Sequence, residues 1–284
     1  MQFWLTQLLN GLSFAALLFL LASGLTLIFG LMRIVNIAHG SYYLLGAYVA
    51  LTVVQATGNF LAAALAGSLT VAAVGVVMQR AFLARFYRAE QAQVLLTMGF
   101  SFIFADLALW IWGGDPHRIP TPSALAGSVA LGPTFFPTYR LAVIAVGAAV
   151  ALFLWLLQER TRLGAVVRAA VDDQEMARGL GIHVDPVLTG MFAVGAALAG
   201  FGGVMGGPFL GVYPGVDSEV LPLAFAVVII GGLGSLKGAL VGSVLVGVLD
   251  NLGKAMFPEL SYFTLFVPMA VVLAIRPTGL FGRG

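Results

Sequence analysis

Apolar residues run along this chain in long unbroken stretches; they neither alternate nor recur on a single helical face. A helical span needs about 20 mostly apolar residues. Stretches of that kind lie near 11–31, 40–56, 59–79, 93–112, 139–158 and 186–206, and again near 238–256 and 261–276. One further stretch, 219–232, is short for a crossing and leads into Gly231-Gly232-Leu233-Gly234-Ser235-Leu236-Lys237-Gly238. The pattern predicts an all-α polytopic membrane protein with about eight transmembrane helices plus a short or broken segment, in one domain over 1–284. A β-barrel would alternate apolar and polar positions, and these runs are apolar on every side. The first charge is Arg33, so the opening stretch lacks the basic start of a signal peptide and reads as a retained span.

Two connections have a character of their own. Loop 113–138 carries Pro116, Pro120, Pro122, Pro133 and Pro137. Loop 159–185 is built from helix formers. Asp172 and Asp173 are placed to cap a short second helix, with Glu175 and Met176 in its first turn and Gly179 and Gly181 to end it.

Composition supports a membrane solvent. Hydrophobic residues make up 60% of the chain and charged residues 9%, against about 25% charged in soluble domains. A net charge of +2 is too small to suggest nucleic acid as a partner. The chain has no cysteine, and His39, His117 and His183 are too far apart in sequence to form a metal cluster. Basic residues orient the spans. With the N-terminus outside and every segment crossing, the inner side holds Arg33, Arg80, Arg85, Arg88, Arg160, Arg162, Arg168, Arg178, Lys237, Arg276 and Arg283. The outer side holds Arg118, Arg140 and Lys254, a bias of eleven to three. Loop 159–185 is then internal, loop 113–138 external and the C-terminus cytoplasmic. The weak point is 219–232: if it dips in and returns, every later span inverts.

Three readings of the internal loop stand on the residues alone: a solvated connector, a docking helix for a cytoplasmic partner, and an amphipathic helix lying on the membrane. Met176, Leu180 and Ile182 beside Asp172, Glu175 and Arg178 suit a groove in another protein. The mixed charges argue against the membrane surface.

The run Arg168-Ala169-Ala170-Val171-Asp172-Asp173-Gln174-Glu175-Met176-Ala177-Arg178-Gly179-Leu180-Gly181-Ile182 resembles the coupling-loop motif of a family of ATP-binding-cassette (ABC) importer permeases. The family is the branched-chain amino acid type (LivH/LivM), and the chain is closer to its LivH-type half. Three further runs carry the same resemblance, in the family's order: Gly30-Leu31-Met32-Arg33-Ile34-Val35-Asn36-Ile37-Ala38-His39-Gly40, the Gly231–Gly238 run, and Arg276-Pro277-Thr278-Gly279-Leu280-Phe281-Gly282. The resemblance implies an ABC importer permease fold. It implies a second homologous permease, two cytoplasmic ATPase subunits that hold the ATP, and an extracytoplasmic substrate-binding protein. This chain would bind no cofactor of its own. Arg168, Asp172, Glu175, Met176, Arg178 and Gly181 would then couple to the ATPases. The implied substrate is a branched-chain amino acid or a related small polar molecule. Gly234-Ser235-Leu236-Lys237-Gly238 lacks the Gly-Lys-Ser/Thr order of a phosphate loop.

Polar groups at membrane depth are costly and need a reason. Asn36, His39 and Gly40 have two readings: a helix start at the interface with Ser41 as local partner, or a broken helix on the translocation path. Gly232 and Gly234 belong to a second candidate break, placed as an inverted repeat would place it. A metal role for His39 has no second ligand nearby. Asp106 lies in the fourth span, Asp250 has Lys254 at i+4, and Asp217 and Glu219 lie at the outer mouth as caps or contacts for the binding protein. Gly195, Ala199 and Gly203, Gly238 with Gly242, and Ser243 with Gly247 form small-residue faces for close helix packing. Transport with a borrowed ATPase is the leading function. A membrane enzyme would need a clustered active site, and a secondary transporter or channel would need no docking loop.

Overall fold

The computed structural model describes residues 2–32, 35–86, 89–132 and 134–282; Arg33, Ile34, Arg88, Pro133 and Arg283 lie outside them. The nine expected apolar stretches correspond one to one with helices α1 (Gln2–Met32), α2 (His39–Thr57), α3 (Phe60–Ala81), α4 (Glu90–Trp112), α5 (Thr138–Arg160), α8 (Val184–Leu210), α9 (Val216–Gly231), α10 (Leu236–Met256) and α11 (Ser261–Ile275). Two short helices, α6 (Arg162–Asp172) and α7 (Gln174–Gly179), fill the loop between α5 and α8. Among the described residues six helices are long and apolar enough to cross a membrane: α1, α3, α4, α5, α8 and α10. Helices α2, α9 and α11 are shorter, at 19, 16 and 15 residues, so the expected number of about eight is approximate.

The helices form two groups. Helices α1, α2, α8 and α9 make the buried centre, with Leu20, Leu21, Tyr42, Tyr43, Tyr48 and Phe192 enclosed. Helices α3, α4 and α5 pack on it by one face and expose Leu61, Leu65, Leu69, Phe102, Trp110 and Phe153 on the other. Such an outer surface is stable in hydrocarbon and not in water. Hydrocarbon gives helices no hydrophobic reason to associate, so the centre is held by close backbone approach at small residues. Gly195 of α8 lies on the Gly24 carbonyl, Gly200 on Val71 and Gly203 on the Tyr43 carbonyl. The small-residue face of α8 is thus used within the chain, against α1, α2 and α3. Gly242 of α10 lies on the Val227 carbonyl of α9, and Gly247 on Ala15 of α1.

Loop 113–138 contains an element the apolar pattern did not predict. Strands β1 (Ser128–Leu131) and β2 (Thr134–Pro137) pair antiparallel, with Ser128 opposite Pro137. His117 exchanges two backbone hydrogen bonds of 2.8 Å with Val212, fastening the loop to the α8–α9 connection.

That connection settles the path of α9. It begins beside Val212 on the face of loop 113–138 and ends at Gly231, beside Gly238. Gly234 in turn lies against Gly30 near the end of α1. At about 1.5 Å per residue α9 covers about 24 Å. It runs from the loop 113–138 side to the face where α1 ends and does not turn back, so α10 starts there.

Candidate functional site

Two regions gather the residues singled out in the sequence. The first is the break between α1 and α2. His39 is the first residue of α2, and its Nε2 donates to the Leu21 carbonyl at 2.9 Å. Leu21 lies eleven residues before the end of α1, or about 16 Å along the axis. The chain therefore leaves α1, turns back into the bundle and starts α2 at depth. The Ile37 N–H donates to Thr97 Oγ1 of α4 at 3.2 Å, fixing the returning segment. His39 and Asn36 are both 0% exposed, enclosed by the bundle. Ser41 does not act as the local partner: its hydroxyl donates to Asp217 Oδ2 of α9 at 3.2 Å. The N-cap residue of α2, Ala38, supplies no side-chain cap. Asp217 reaches this turn from α9, with its backbone carbonyl against Gly40.

This region is unusual in what it leaves unbonded. His39 Nε2 faces a carbonyl, which only accepts, so Nε2 carries the hydrogen and Nδ1 is a bare acceptor. Nδ1 has no partner, nor have both amide atoms of Asn36, Oδ1 of Asp217 and the hydroxyls of Tyr43 and Tyr48. The Tyr42 hydroxyl donates to Met78 Sδ at 3.0 Å and lies beside the Asn36 amide. Each buried orphan costs about 1–3 kcal/mol, and they face different helices: the Tyr43 hydroxyl lies toward Gly206 of α8, Tyr48 lies on Trp112 of α4, and Asp217 lies beside Ser41.

The second break, between α9 and α10, is different. Gly232 (φ +103) and Gly234 (φ +77) adopt the left-handed backbone that the turn requires. Gly232 packs on Phe281 and Gly282, and Gly30 and Gly234 meet so closely that a Cβ on Gly30 would lie 3.0 Å from the Gly234 Cα. Ser235 caps α10 by accepting from the Gly238 N–H at 3.0 Å. The C-terminal segment closes α9: the Leu280 and Phe281 N–H groups donate to the carbonyls of Ile230 and Gly231, each at 2.9 Å.

The short helices sit next to this break. Thr161 caps α6 through the Gly164 N–H at 3.1 Å, and Asp173 caps α7 through the Met176 N–H at 2.9 Å. Arg168 anchors α6 by donating to the Gln158 carbonyl. Glu175 lies in the first turn of α7, and Gly181 follows it at φ +84. Arg178 pairs with Asp185 at 2.7 Å on the surface. Met176 is 62% and Leu180 75% exposed, with Asp172 and Glu175 also exposed alongside. Ile182 is not part of this patch, since it packs against the core. A cavity of about 530 Å³ joins α6 to the second break, lined by Gly30, Glu159, Arg168, Asp172, Lys237 and Phe281 among others. A groove of about 960 Å³ runs between α7 and the ends of α3 and α8, past Gln79, Arg80, Glu175, Arg178 and Asp185.

The described basic residues divide by face as expected. Arg80, Arg178 and Lys237 line these two openings. On the opposite face Arg140 donates to Asn10, and Lys254 pairs with Asp250 at 2.7 Å. Asp106 is exposed on α4, six residues before its end. On the loop 113–138 side Tyr213 donates to Glu219 at 2.8 Å. Burial first, and then the bond and charge of Glu219, push that phenol up to about 12. No group of three His, Asp or Glu residues able to hold a metal occurs among the described residues.

Residues 7–275 match the family model described as branched-chain amino acid transport system / permease component. The chain belongs to this family. It is 30% identical to the high-affinity branched-chain amino acid transport system permease protein BraD of Pseudomonas aeruginosa, over 99% of this chain and 96% of the relative. It is 29% identical to the corresponding LivH protein of Escherichia coli, with the same coverage of 99% and 96%. Among solved structures it is similar to PsaBC from Streptococcus pneumoniae in complex with Fab, with a TM-score of 0.50 and 15% identity over 94% of this chain and 89% of that one. That likeness concerns the fold alone. Sequence reasoning did not pair Asp217 with Ser41, because nothing in a linear pattern signals a contact across 176 positions.

Proposed function

We propose that this chain is the transmembrane permease subunit of an ATP-driven ABC importer that moves branched-chain amino acids, or a related small polar substrate, inward across a bacterial cytoplasmic membrane. The observation that carries the reading is full-length similarity to two permeases named for branched-chain amino acid transport. The division of charge between the faces supports an N-terminus outside and a C-terminus in the cytoplasm. One copy pairs with a homologous permease, two ATPase subunits dock from the cytoplasm, and a soluble binding protein delivers substrate from outside. ATP is bound by the ATPases and not by this chain.

Arg168, Asp172, Glu175, Met176, Arg178 and Gly181 form the coupling element. The exposed Met176–Leu180 patch ringed by charge is suited to a groove in the ATPase, and the anchored α6 carries its movement to the second break. Asn36, His39 and Gly40 line the translocation path at depth, and Gly232 and Gly234 shape its inner mouth. Closure of the ATPases on ATP draws the coupling helices of the two permeases together and rocks the permeases between outward and inward states.

The test is reconstitution with partner permease, ATPases and binding protein in proteoliposomes, followed by ATP-driven uptake of labelled leucine. Reversing both charges of the coupling element (E175R with R178E) should release the ATPases on purification and abolish uptake. Retention of both would remove the coupling assignment.

A further inference from the structure

The importer reading leaves open what in the bundle recognises the substrate. Among the described residues six hold buried side-chain atoms with no hydrogen-bond partner. Five of them, Asn36, His39, Tyr43, Tyr48 and Asp217, belong to α2, its lead-in segment, or the turn of α9 beside it. Within this group Asp217 carries a carboxylate. It is 6% exposed, its Oδ2 accepts from Ser41 and its Oδ1 accepts from nothing. Neither ion pair among the described residues includes it. A carboxylate enclosed in a bundle without a cation is costly unless a cation joins it. Tyr48 lies two turns beyond Ser41 on the same face of α2. Its ring is stacked on Trp112 at 4.8 Å. The first turn of α2 has no side-chain cap of its own, and helix starts left open at membrane depth suit a carboxylate.

We propose that Asp217 receives the ammonium group of a zwitterionic substrate in an occluded site between the first turns of α2 and α9, with the substrate's carboxylate directed to the N-terminus of α2. The proposal rests on the importer reading and names the class of ligand: an α-amino acid, bound by both charged groups. Neutral amides and urea lack the ammonium and would not satisfy Asp217.

The experiment uses the full complex with its binding protein in proteoliposomes, with leucine as probe. A hydrophobic carbodiimide labels buried membrane carboxylates, and mass spectrometry reads Asp217 and, as internal control, Asp250. Leucine-loaded binding protein with ATP should lower Asp217 labelling about tenfold and leave Asp250 unchanged. Uptake should fall about tenfold or more in Asp217→Asn and recover in part in Asp217→Glu, in complexes of normal assembly. If Asp217→Asn does not assemble, the labelling of the unmodified complex decides. Leucine uptake by Asp217→Asn at the unmodified rate overturns the proposal, as does Asp217 labelling that ignores leucine during active uptake. Both leave the importer reading intact. An unmodified complex that takes up no leucine overturns the importer reading and this proposal with it.

Discussion

The two helix breaks lie on the same half of the bundle, yet they are built on opposite principles. The α9–α10 break is shallow and satisfied: Ser235 caps the following helix, and the Leu280 and Phe281 N–H groups close the preceding one. The α1–α2 break is deep and unsatisfied, with His39 level with Leu21 and Asn36 bonding nothing. A joint that must bend while holding its shape keeps its backbone groups paired. A path that must accept a polar guest keeps polar groups waiting. On the proposed function, the difference would separate a mechanical role from a binding role within one chain.

Substitutions test this division, beginning with the largest effect. Gly234→Val places a branched side chain at φ +77, where a Cβ alone would lie 2.9 Å from the Gly30 Cα. The shallow joint should fail as structure: several kcal/mol of stability lost, seen as loss of monodisperse protein after extraction. Asn36→Leu should do the reverse. Removing two orphaned amide atoms at similar volume should raise stability by about 1–3 kcal/mol, while uptake falls about tenfold; a thermal melt and an uptake assay together read both. Equal loss of stability at the two sites would erase the distinction. Ser235→Ala removes a helix cap and should cost about 1 kcal/mol, measured as a small fall in melting temperature with uptake close to normal. Arg178→Ala breaks an exposed ion pair with Asp185 and should change stability by less than about 1 kcal/mol. Its effect should appear in ATPase retention instead.

Much of the architecture was legible beforehand. Each apolar stretch became a helix because a segment in hydrocarbon must satisfy its own backbone. Asp173 was readable as the cap of α7, and the Asp250–Lys254 pair followed from i,i+4 spacing. The hairpin Ser128–Pro137 was not, since four-residue strands are too short for a periodic signal. Ile182 does not share the exposed face of Met176 and Leu180, because it follows the end of α7 and the left-handed Gly181, where the chain turns back to the core.

The sequence by itself determined that this chain spans a membrane, where its crossings fall and which connections carry charge. Those properties follow from local composition and from the bilayer as solvent. The tertiary structure alone decided how deep the α1–α2 break lies, that α9 does not turn back, and that Ser41 meets Asp217. The physical reason is that spans apolar on every side carry no mark of which face turns inward. Depth and partnership are set by glycines on different helices meeting in space.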